Sequence, residues 1–460
     1  MAIFVVKKSL NSYNKNDIFY IEISKKPKGG KSVYIKSLSL KNYRCYEQID
    51  MEFNSEYTVL VGVNGAGKST ILDALATALG SYIAGFDGIA SNGITRDDAH
   101  RKMYELGSRV DSEEQYPVEI AAKCMIDEQE ISWKRSLHSN EGRTHIRDAK
   151  KIMDYGMILQ DRVRAGDKGT ILPLIAYYGT GRLYMQKRQK RKTDDETRFT
   201  RTTGYVDCLD SASNDKLMMR WFKQMTEIQI QEGVKIPELE VVKHAMGKCF
   251  SGAENTEDIA QFEYKIKTQE IEITYQKKGK KEKLPMKMLS DGLKITISMV
   301  ADIAYRMAVL NPQLLDYILD ETPGIVLIDE VDMHLHPEWQ KRIMADLHYI
   351  FPKVQFIVTT HSPSVLANVK REHILLLEDG EIYMPKQATY GRDVSAILQQ
   401  MMKVEVRPQK ILKIMGDFYK FLSVEEYDRA KELLNELENI LGSEDADVVQ
   451  ARVSYDLEQI

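Results

Sequence analysis

The sequence predicts an α/β protein in which a largely parallel sheet carries polar residues at the ends of its strands. Apolar runs at residues 57–62, 325–328 and 354–359 have the length of buried strands. Segments with helical spacing, at residues 69–79 and 337–350, follow the first two runs. Strands that alternate with helices need crossover connections, which are typical of a parallel sheet covered by helices.

Periodicity and turn residues predict the other elements in order along the chain. Residues 85–115 are rich in Gly, Asp and Ser and predict a loop. We expect strands or hairpins at residues 18–23, 33–40, 49–53, 118–137, 171–178, 262–275 and 374–384. Apolar residues at three- and four-residue spacing predict helices at residues 216–232, 237–250 and 291–310, and helical segments throughout residues 393–460.

Composition indicates a globular protein and excludes several classes. The 460 residues suffice for roughly two to three domains, and 43% of them are apolar. The net charge of -4 excludes a polycation that coats nucleic acid, so such a contact needs a local basic patch. The basic run at residues 187–192 is either that patch or a solvated loop, whereas Gly279 makes residues 277–281 a hairpin tip.

Cysteine usage and the first residues favour the cytoplasm. The four cysteines lie far apart and form no Cys-x-x-Cys pair, so neither a zinc site nor a disulfide framework is indicated. The apolar run at the N-terminus is too short for a signal peptide, and no window approaches the ~18 apolar residues of a membrane span. We therefore expect a cytoplasmic protein without a membrane partner.

Residues 62–69 form a glycine-rich loop, here called the phosphate loop, with the pattern G-x-x-x-x-G-K-[ST] between an apolar strand and a helix. Glycines let backbone N–H groups surround an anion, and the helix N-terminus adds partial positive charge. We expect Lys68 to reach the β and γ phosphates of ATP and the Ser69 hydroxyl to bind Mg²⁺. The predicted nucleotide-binding residues of this segment are Gly62, Asn64, Gly65, Ala66, Gly67, Lys68, Ser69 and Thr70.

Two carboxylates follow the apolar strand at residues 325–328. Asp329 is the predicted second ligand of Mg²⁺, and Glu330 is the predicted base that orients or deprotonates the attacking water. His361 follows another apolar strand about thirty residues later. Its imidazole is predicted to hydrogen-bond the γ-phosphate. Glu330 and His361 are therefore the candidate catalytic residues.

Residues 289–294, here called the signature segment, open the helix predicted at residues 291–310, with Ser290 at the cap position. Together with the other motifs, the segment resembles the LSGGQ signature of ABC-type ATPases, and residues 33–365 resemble the SMC/OLD-like branch of that family. The resemblance implies an ATPase head with a mixed and parallel sheet, a phosphate loop and a helical lobe. It also implies a two-fold dimer, in which Ser290, Asp291 and Gly292 of one copy face the nucleotide held by the other.

Two further features refine the resemblance. Residues 40–46 resemble an N-terminal element of the same branch, which implies that Arg44 approaches the bound nucleotide. Asp291 and Leu293 depart from the glycine and glutamine that the family often has, so slow hydrolysis is expected. The chain has neither the long heptads of an SMC protein nor an OLD-type nuclease domain after His361, and its one Asp-x-Asp pair, at residues 445–447, is expected in a solvated turn. We therefore expect no nuclease activity in this chain.

Residues 391–394, followed by a helical tail, resemble the ATPase subunits of Septu-type antiphage defence, which also occur beside some retrons. That resemblance implies an ATPase that acts as sensor, scaffold and regulator of a separate HNH-type nuclease subunit. The alternative is a stand-alone ABC-type DNA repair or recombination ATPase. We expect an ATPase domain at residues 1–392, with a helical and basic insertion at about 183–260, and a helical tail at residues 393–460. In the tail, three side chains pack helices together or meet the partner: Phe418, Phe421 and Leu437.

Overall fold

The computed structural model describes residues 32–458, except for residues 108, 184–198, 211–214, 253, 256 and 278. Its strands are β1 Val33–Tyr43, β2 Tyr46–Glu52, β3 Tyr57–Gly62, β4 Arg101–Leu106, β5 Arg109–Glu114, β6 Val118–Ile126, β7 Gln129–Leu137, β8 Leu174–Tyr178, β9 Gln261–Lys265, β10 Glu270–Lys277, β11 Lys280–Pro285, β12 Gly324–Ile328, β13 Val354–Thr360, β14 Ile374–Glu378 and β15 Glu381–Tyr383. Its helices are α1 Lys68–Ile83, α2 Lys150–Arg164, α3 Asp215–Glu232, α4 Pro237–Ser251, α5 Asp291–Leu310, α6 Ile318–Glu321, α7 Pro337–Ile350, α8 Pro363–Leu366, α9 Val394–Gln400, α10 Gln409–Ser423, α11 Tyr427–Leu441 and α12 Ala446–Glu458.

The main sheet has the strand order β15-β14-β3-β13-β12-β8. Strands β14, β3, β13, β12 and β8 run parallel, and only β15 pairs antiparallel at one edge. Every residue of β12 and β13 is buried, which explains why their sequences are mainly apolar and do not alternate between apolar and polar residues. Because the strands are parallel, the residues that follow β3, β12 and β13 lie along one edge of the sheet.

A second, antiparallel sheet has the order β2-β1-β6-β7. Helix α1 contacts β6 of this sheet and β3, β12 and β13 of the main sheet. The side chain of Gln355 on β13 adds a direct link, since its Oε1 accepts from the Ile35 N–H at 2.8 Å and its Nε2 donates to the Ile35 carbonyl at 2.9 Å. Helix α1 therefore begins from a position that both sheets fix.

A helical lobe is built from α3, α4 and α5 with the small sheet β11-β10-β9. Buried polar groups join this lobe to the main sheet, because the Tyr178 hydroxyl at the end of β8 donates to Asp302 of α5 at 2.7 Å. Arg306, one turn further along α5, donates to the same carboxylate at 2.7 Å. The start of α5, which carries the signature segment, is thus part of a helix that is anchored to the end of β8.

Helices α10, α11 and α12 form a three-helix unit, here called the C-terminal bundle, with a hydrophobic core distinct from the main core. Phe418 and Leu437 are buried in that core and Phe421 packs against it, so all three serve to hold helices together. Asp445 and Asp447 are not merely a solvated turn. Both carboxylates accept hydrogen bonds from the Arg407 guanidinium, which explains a pair of acids at the start of α12.

Three predictions about elements were wrong or incomplete. Residues 85–115 contain the hairpin β4–β5, whose strands are so rich in charge that they lack an apolar signal. Residues 262–275 form two strands, not one, joined by a turn over residues 266–269 in which Gln269 has a φ of 55°. Helix α2 was not predicted. The hairpin at Gly279 is confirmed. The strand predicted at residues 18–23 and the basic run at 187–192 lie outside the described residues.

Within the part of the chain that the structure describes, no helix is both long enough and apolar enough to cross a bilayer.

Candidate nucleotide-binding site

The phosphate loop connects β3 to α1 and is shaped by its glycines. Gly65 and Gly67 have φ angles of 84° and 89°, a region in which residues with a Cβ are strained. A Cβ on Gly67 would also overlap the Tyr46 hydroxyl and lie 2.7 Å from Cys45 Sγ. The Tyr46 hydroxyl donates to the Ala66 carbonyl at 2.9 Å. Tyr46 of β2 therefore packs against the phosphate loop and fixes its backbone, and it leaves no space for a larger residue at position 67.

Lys68 is the first residue of α1, and only 6% of it is exposed. Its ammonium group lies inside the loop and donates to the carbonyls of Gly62 at 2.9 Å and Val63 at 3.0 Å. Burial lowers the pKa of Lys68, while the carboxylates of Asp329 and Glu330 act in the opposite direction. A buried cation at a helix N-terminus is a fit for an anion such as a triphosphate, because the anion would offset the cost of burial. Ser69, the next residue, is exposed.

Asp329 and Glu330 lie immediately beyond the end of β12. Asp329 is 4% exposed, and its backbone N–H donates to the Tyr178 carbonyl at 2.8 Å. Glu330 has a φ of 50°, which is uncommon for a residue with a side chain and typical of functional sites. The backbone therefore turns at Glu330, directly after Asp329. Asp329 is placed where a carboxylate could hold a cation such as Mg²⁺, and Glu330 is the next residue along the chain.

His361 follows β13 at the same edge of the sheet and is half-buried. Burial is the main reason that its pKa lies below the ordinary value of 6.5, and the Lys68 cation lowers the pKa further. The carboxylates of Asp332, Glu330 and Asp329 act in the opposite direction. Lys68, the acidic pair and His361 are therefore near enough to influence one another's ionisation. The lowered pKa favours a neutral imidazole at pH 7.

Arg44 lies in the turn between β1 and β2, with a φ of 49°. Its guanidinium forms ion pairs with Asp73 of α1 at 2.5 Å and with Asp98 at 2.8 Å. Asp73 also accepts from the Tyr177 hydroxyl at 2.8 Å. The structure thus places Arg44 close to the helix that starts at Lys68, held by the protein's own carboxylates. Sequence reasoning missed Asp73, Asp98 and Tyr177, because nothing in their spacing signals that they meet.

The signature segment begins α5, with Ser290 at the N-cap position. Contrary to the expectation for a serine there, its side chain makes no capping hydrogen bond. Asp291 is 80% exposed at its side chain and pairs with Lys294 at 2.7 Å, which lowers the pKa of the carboxyl group. Gly292 packs so closely on the loop after β12 that a Cβ would overlap the His334 carbonyl oxygen. The segment therefore presents an uncommitted hydroxyl at a helix N-terminus.

Fold and site together define a class of protein. A phosphate loop follows β3, paired carboxylates follow β12, and a histidine follows β13, which lies between those two strands in the sheet. This arrangement is that of an ATPase head, and the predicted fold class, an α/β head of the ABC type with a helical tail, is confirmed. The chain belongs to a family of ATPase domains whose model, described as "AAA domain", matches residues 37–284. A second model, "AAA domain, putative AbiEii toxin, Type IV TA system", matches residues 222–367.

Relatives of known name confirm the more specific resemblance. The chain is 26% identical to the Retron Ec83 probable ATPase of Escherichia coli, over 95% of this chain and 89% of that protein. It is 25% identical to the Retron Vc95 probable ATPase of Vibrio cholerae serotype O1 biovar El Tor, over 84% of this chain and 83% of the relative. A shorter match, 43% identical over 20% of this chain and 12% of the relative, is to the Septu protein PtuA of Bacillus mycoides (strain KBAB4).

Among solved structures, the chain is similar to an SMC head bound to the C-terminal winged-helix domain of ScpA, with a TM-score of 0.46 and 20% identity. The match covers 77% of this chain and 98% of the other.

Proposed function

We propose that this chain is the ATP-binding and ATP-hydrolysing subunit of an antiphage defence complex, and that it regulates a separate HNH-type nuclease subunit. The observation that carries the ATPase part is the buried ammonium of Lys68, which lies inside the phosphate loop and interacts with the carboxylates of Asp329 and Glu330. The role in defence is supported by similarity to a retron probable ATPase over 95% of the chain.

The residues of the site have separable roles in this proposal. Lys68 and the backbone N–H groups from Gly62 to Thr70 bind the phosphates. Arg44 approaches the nucleotide after it gives up its ion pair with Asp73 or Asp98. Ser69 and Asp329 would hold Mg²⁺, which would offset negative charge on the phosphates. Glu330 accepts a proton from water, and the neutral imidazole of His361 hydrogen-bonds the terminal phosphate.

A second copy of the chain completes the site. Ser290 is suited to this contact, because its hydroxyl is not used for capping and the N-terminus of α5 favours an anion. Asp291 places a carboxylate beside that anion, and Lys294 offsets its charge only in part, since the acid is largely exposed. We therefore expect closure of the dimer to be weakened by Asp291 and hydrolysis to be slow.

Residues 393–460 provide the surface for the nuclease subunit. Helix α9 packs on the ATPase part through Ile397, which belongs to the main core, and the C-terminal bundle follows. Three apolar side chains on α12 are at least 42% exposed at a spacing of four residues: Val449, Val453 and Leu457. This spacing forms one apolar helix face. Nucleic-acid contact through residues 187–192 and a cytoplasmic location complete the proposal.

Two variants test the ATPase assignment. Lys68→Ala should abolish ATP binding, because removal of one member of a buried charge pair costs roughly 2–5 kcal/mol. Glu330→Gln should bind ATP and hydrolyse it ~10²–10⁴-fold more slowly, because the base is lost. Binding is measured with a fluorescent ATP analogue and hydrolysis by phosphate release. Unchanged affinity in Lys68→Ala would refute the phosphate loop, and equal turnover in Glu330→Gln would refute the base.

A further inference from the structure

Thr359 of β13 contacts both carboxylate residues through one hydroxyl group. Its Oγ1 donates to Asp329 Oδ1 at 2.6 Å and accepts from the Glu330 backbone N–H at 2.7 Å. Its own carbonyl accepts from the Val331 N–H at 3.0 Å. Thr359 therefore makes hydrogen bonds to three consecutive residues beyond the end of β12.

The position of Thr359 follows from the register of the sheet. Ile328, the last residue of β12, pairs with Val358 of β13. Asp329 follows Ile328 and Thr359 follows Val358, so the Thr359 hydroxyl lies next to the end of β12. The continued contact with β13 extends the ladder past the strand end, where the chain turns at Glu330 with its φ of 50°.

The complete burial of Thr359 indicates that its hydroxyl group serves a specific role. Thr359 is fully buried in a strand in which valine or isoleucine would be the ordinary residue, and valine has the same shape without a polar atom. Burial of a hydroxyl group destabilises the folded protein unless the group forms hydrogen bonds. The Thr359 hydroxyl donates one hydrogen bond to Asp329 and accepts one from Glu330.

We propose that Thr359 is a positioning residue, which sets the Mg²⁺ carboxylate of Asp329 and the backbone turn of Glu330 relative to each other. The hydrogen bond that Thr359 donates restricts the orientation of the Asp329 carboxylate, and the one that it accepts stabilises the backbone turn at Glu330. His361 lies two residues further along the chain, immediately after the end of β13. This inference rests on the proposed ATPase function and deepens it.

The test compares Thr359→Val with Thr359→Ser, and with Thr58→Val as a matched control. Thr58 is a buried threonine of β3 that accepts one hydrogen bond from the Asn54 N–H, at the opposite end of the same sheet. We expect Thr359→Val to lower kcat about 10²-fold with KM for ATP nearly unchanged, because a small displacement of catalytic groups has an effect of that order. Thr359→Ser should restore most of the rate, and Thr58→Val should leave it unchanged.

A second readout does not need hydrolysis. The Mg²⁺ concentration that half-saturates binding of a fluorescent ATP analogue should rise several-fold, by about one order of magnitude at most, in Thr359→Val and should recover in Thr359→Ser.

If wild type binds ATP without hydrolysing it, the proposed ATPase function fails, while this binding measurement still decides the role of Thr359. If Thr359→Val does not fold, Thr359→Ser against Thr359→Ala decides, since both lack the methyl group and only serine keeps the hydroxyl. A wild-type rate and Mg²⁺ dependence in Thr359→Val, or no difference between the serine and alanine variants, would overturn the proposal.

Discussion

At the scale of single residues, neighbouring groups determine the hydrogen bonds and the pKa values of the residues in the site. Lys68 was assigned from a motif, and the structure adds that its ammonium is buried against two backbone carbonyls. His361 was assigned from its place after a strand, and the structure adds a lowered pKa. The sequence identifies such residues because their motifs are local. It does not identify Thr359, because a threonine in an apolar strand carries no signal until the register of two distant strands is known.

The protonation state of His361 leads to a pH prediction. Its pKa lies below 6.5 in the folded protein, so the imidazole is neutral at pH 7 and becomes protonated as the pH falls below that value. We expect the rate of ATP hydrolysis to be level between pH 7.5 and about 6.5 and to decline below it, before ordinary carboxyl groups titrate at about 4.3. His361→Asn should hydrolyse ATP more slowly and lose this acid limb. A limb of the same midpoint in His361→Asn would assign it to another group.

The same depressed pKa also affects stability. The folded protein favours the neutral imidazole, so the contribution of His361 is fully present above the unfolded value of about 6.5 and decreases as the pH falls through that value. Its effect on the melting temperature should therefore appear only in acid and should be small, because the ring is only half-buried.

At the scale of elements, strands buried on both faces and helices with a clear apolar face were predicted closely. Helices α5 and α7 begin and end where the sequence placed them, because a serine or a proline marks each start. The hairpin β4–β5 and helix α2 were not predicted, since charged side chains hide their apolar residues. The sequence also could not reveal that the signature segment packs on the loop after β12.

That contact leads to a prediction for Gly292. A methyl group at this position would overlap the His334 carbonyl oxygen, so Gly292→Ala must shift the start of α5 or the loop. We expect Gly292→Ala to bind ATP as wild type does, because the phosphate loop is intact, but to lose the ATP-induced dimer. Mass measurement by light scattering, with and without ATP, checks this. Gly416→Ala is the matched control, because a Cβ on Gly416 of α10 meets no atom within 4 Å. A normal dimer in Gly292→Ala would show that the signature segment tolerates displacement.

At the scale of the whole molecule, the ATPase head and the C-terminal bundle have separate hydrophobic cores. The sequence predicted a helical tail, and it could not decide whether Phe418 meets a partner or its own helices. The structure places Phe418 at 0% exposure inside the bundle. The exposed apolar side chains of the described bundle include Val449, Val453 and Leu457 on the outer face of α12.

The partner prediction has two parts. The purified chain should not cleave DNA with or without Mg²⁺, whereas its complex with an HNH-type subunit from a neighbouring gene should. Val453→Asp, on the exposed face of α12, should abolish co-purification of that subunit and leave ATP hydrolysis unchanged. Lys410→Asp, an exposed residue of α10, is the charge-changing control. Cleavage by the chain alone would remove the need for a nuclease partner, and DNA-stimulated hydrolysis without any partner would favour a stand-alone repair ATPase.

The central claim is that ATP held at Lys68 is completed by Ser290 of a second copy, and cysteine cross-linking between differently tagged chains tests it most directly. One chain carries Asn64→Cys and the other Ser290→Cys, both with Cys45→Ser to remove the exposed native thiol and Glu330→Gln to retain ATP. We expect a mixed cross-linked dimer that forms with ATP and Mg²⁺ and is absent without nucleotide. Cysteine at exposed Ser423 replaces position 290 in the control and should not react. No mixed dimer with ATP, or one that forms equally well without it, would contradict the claim.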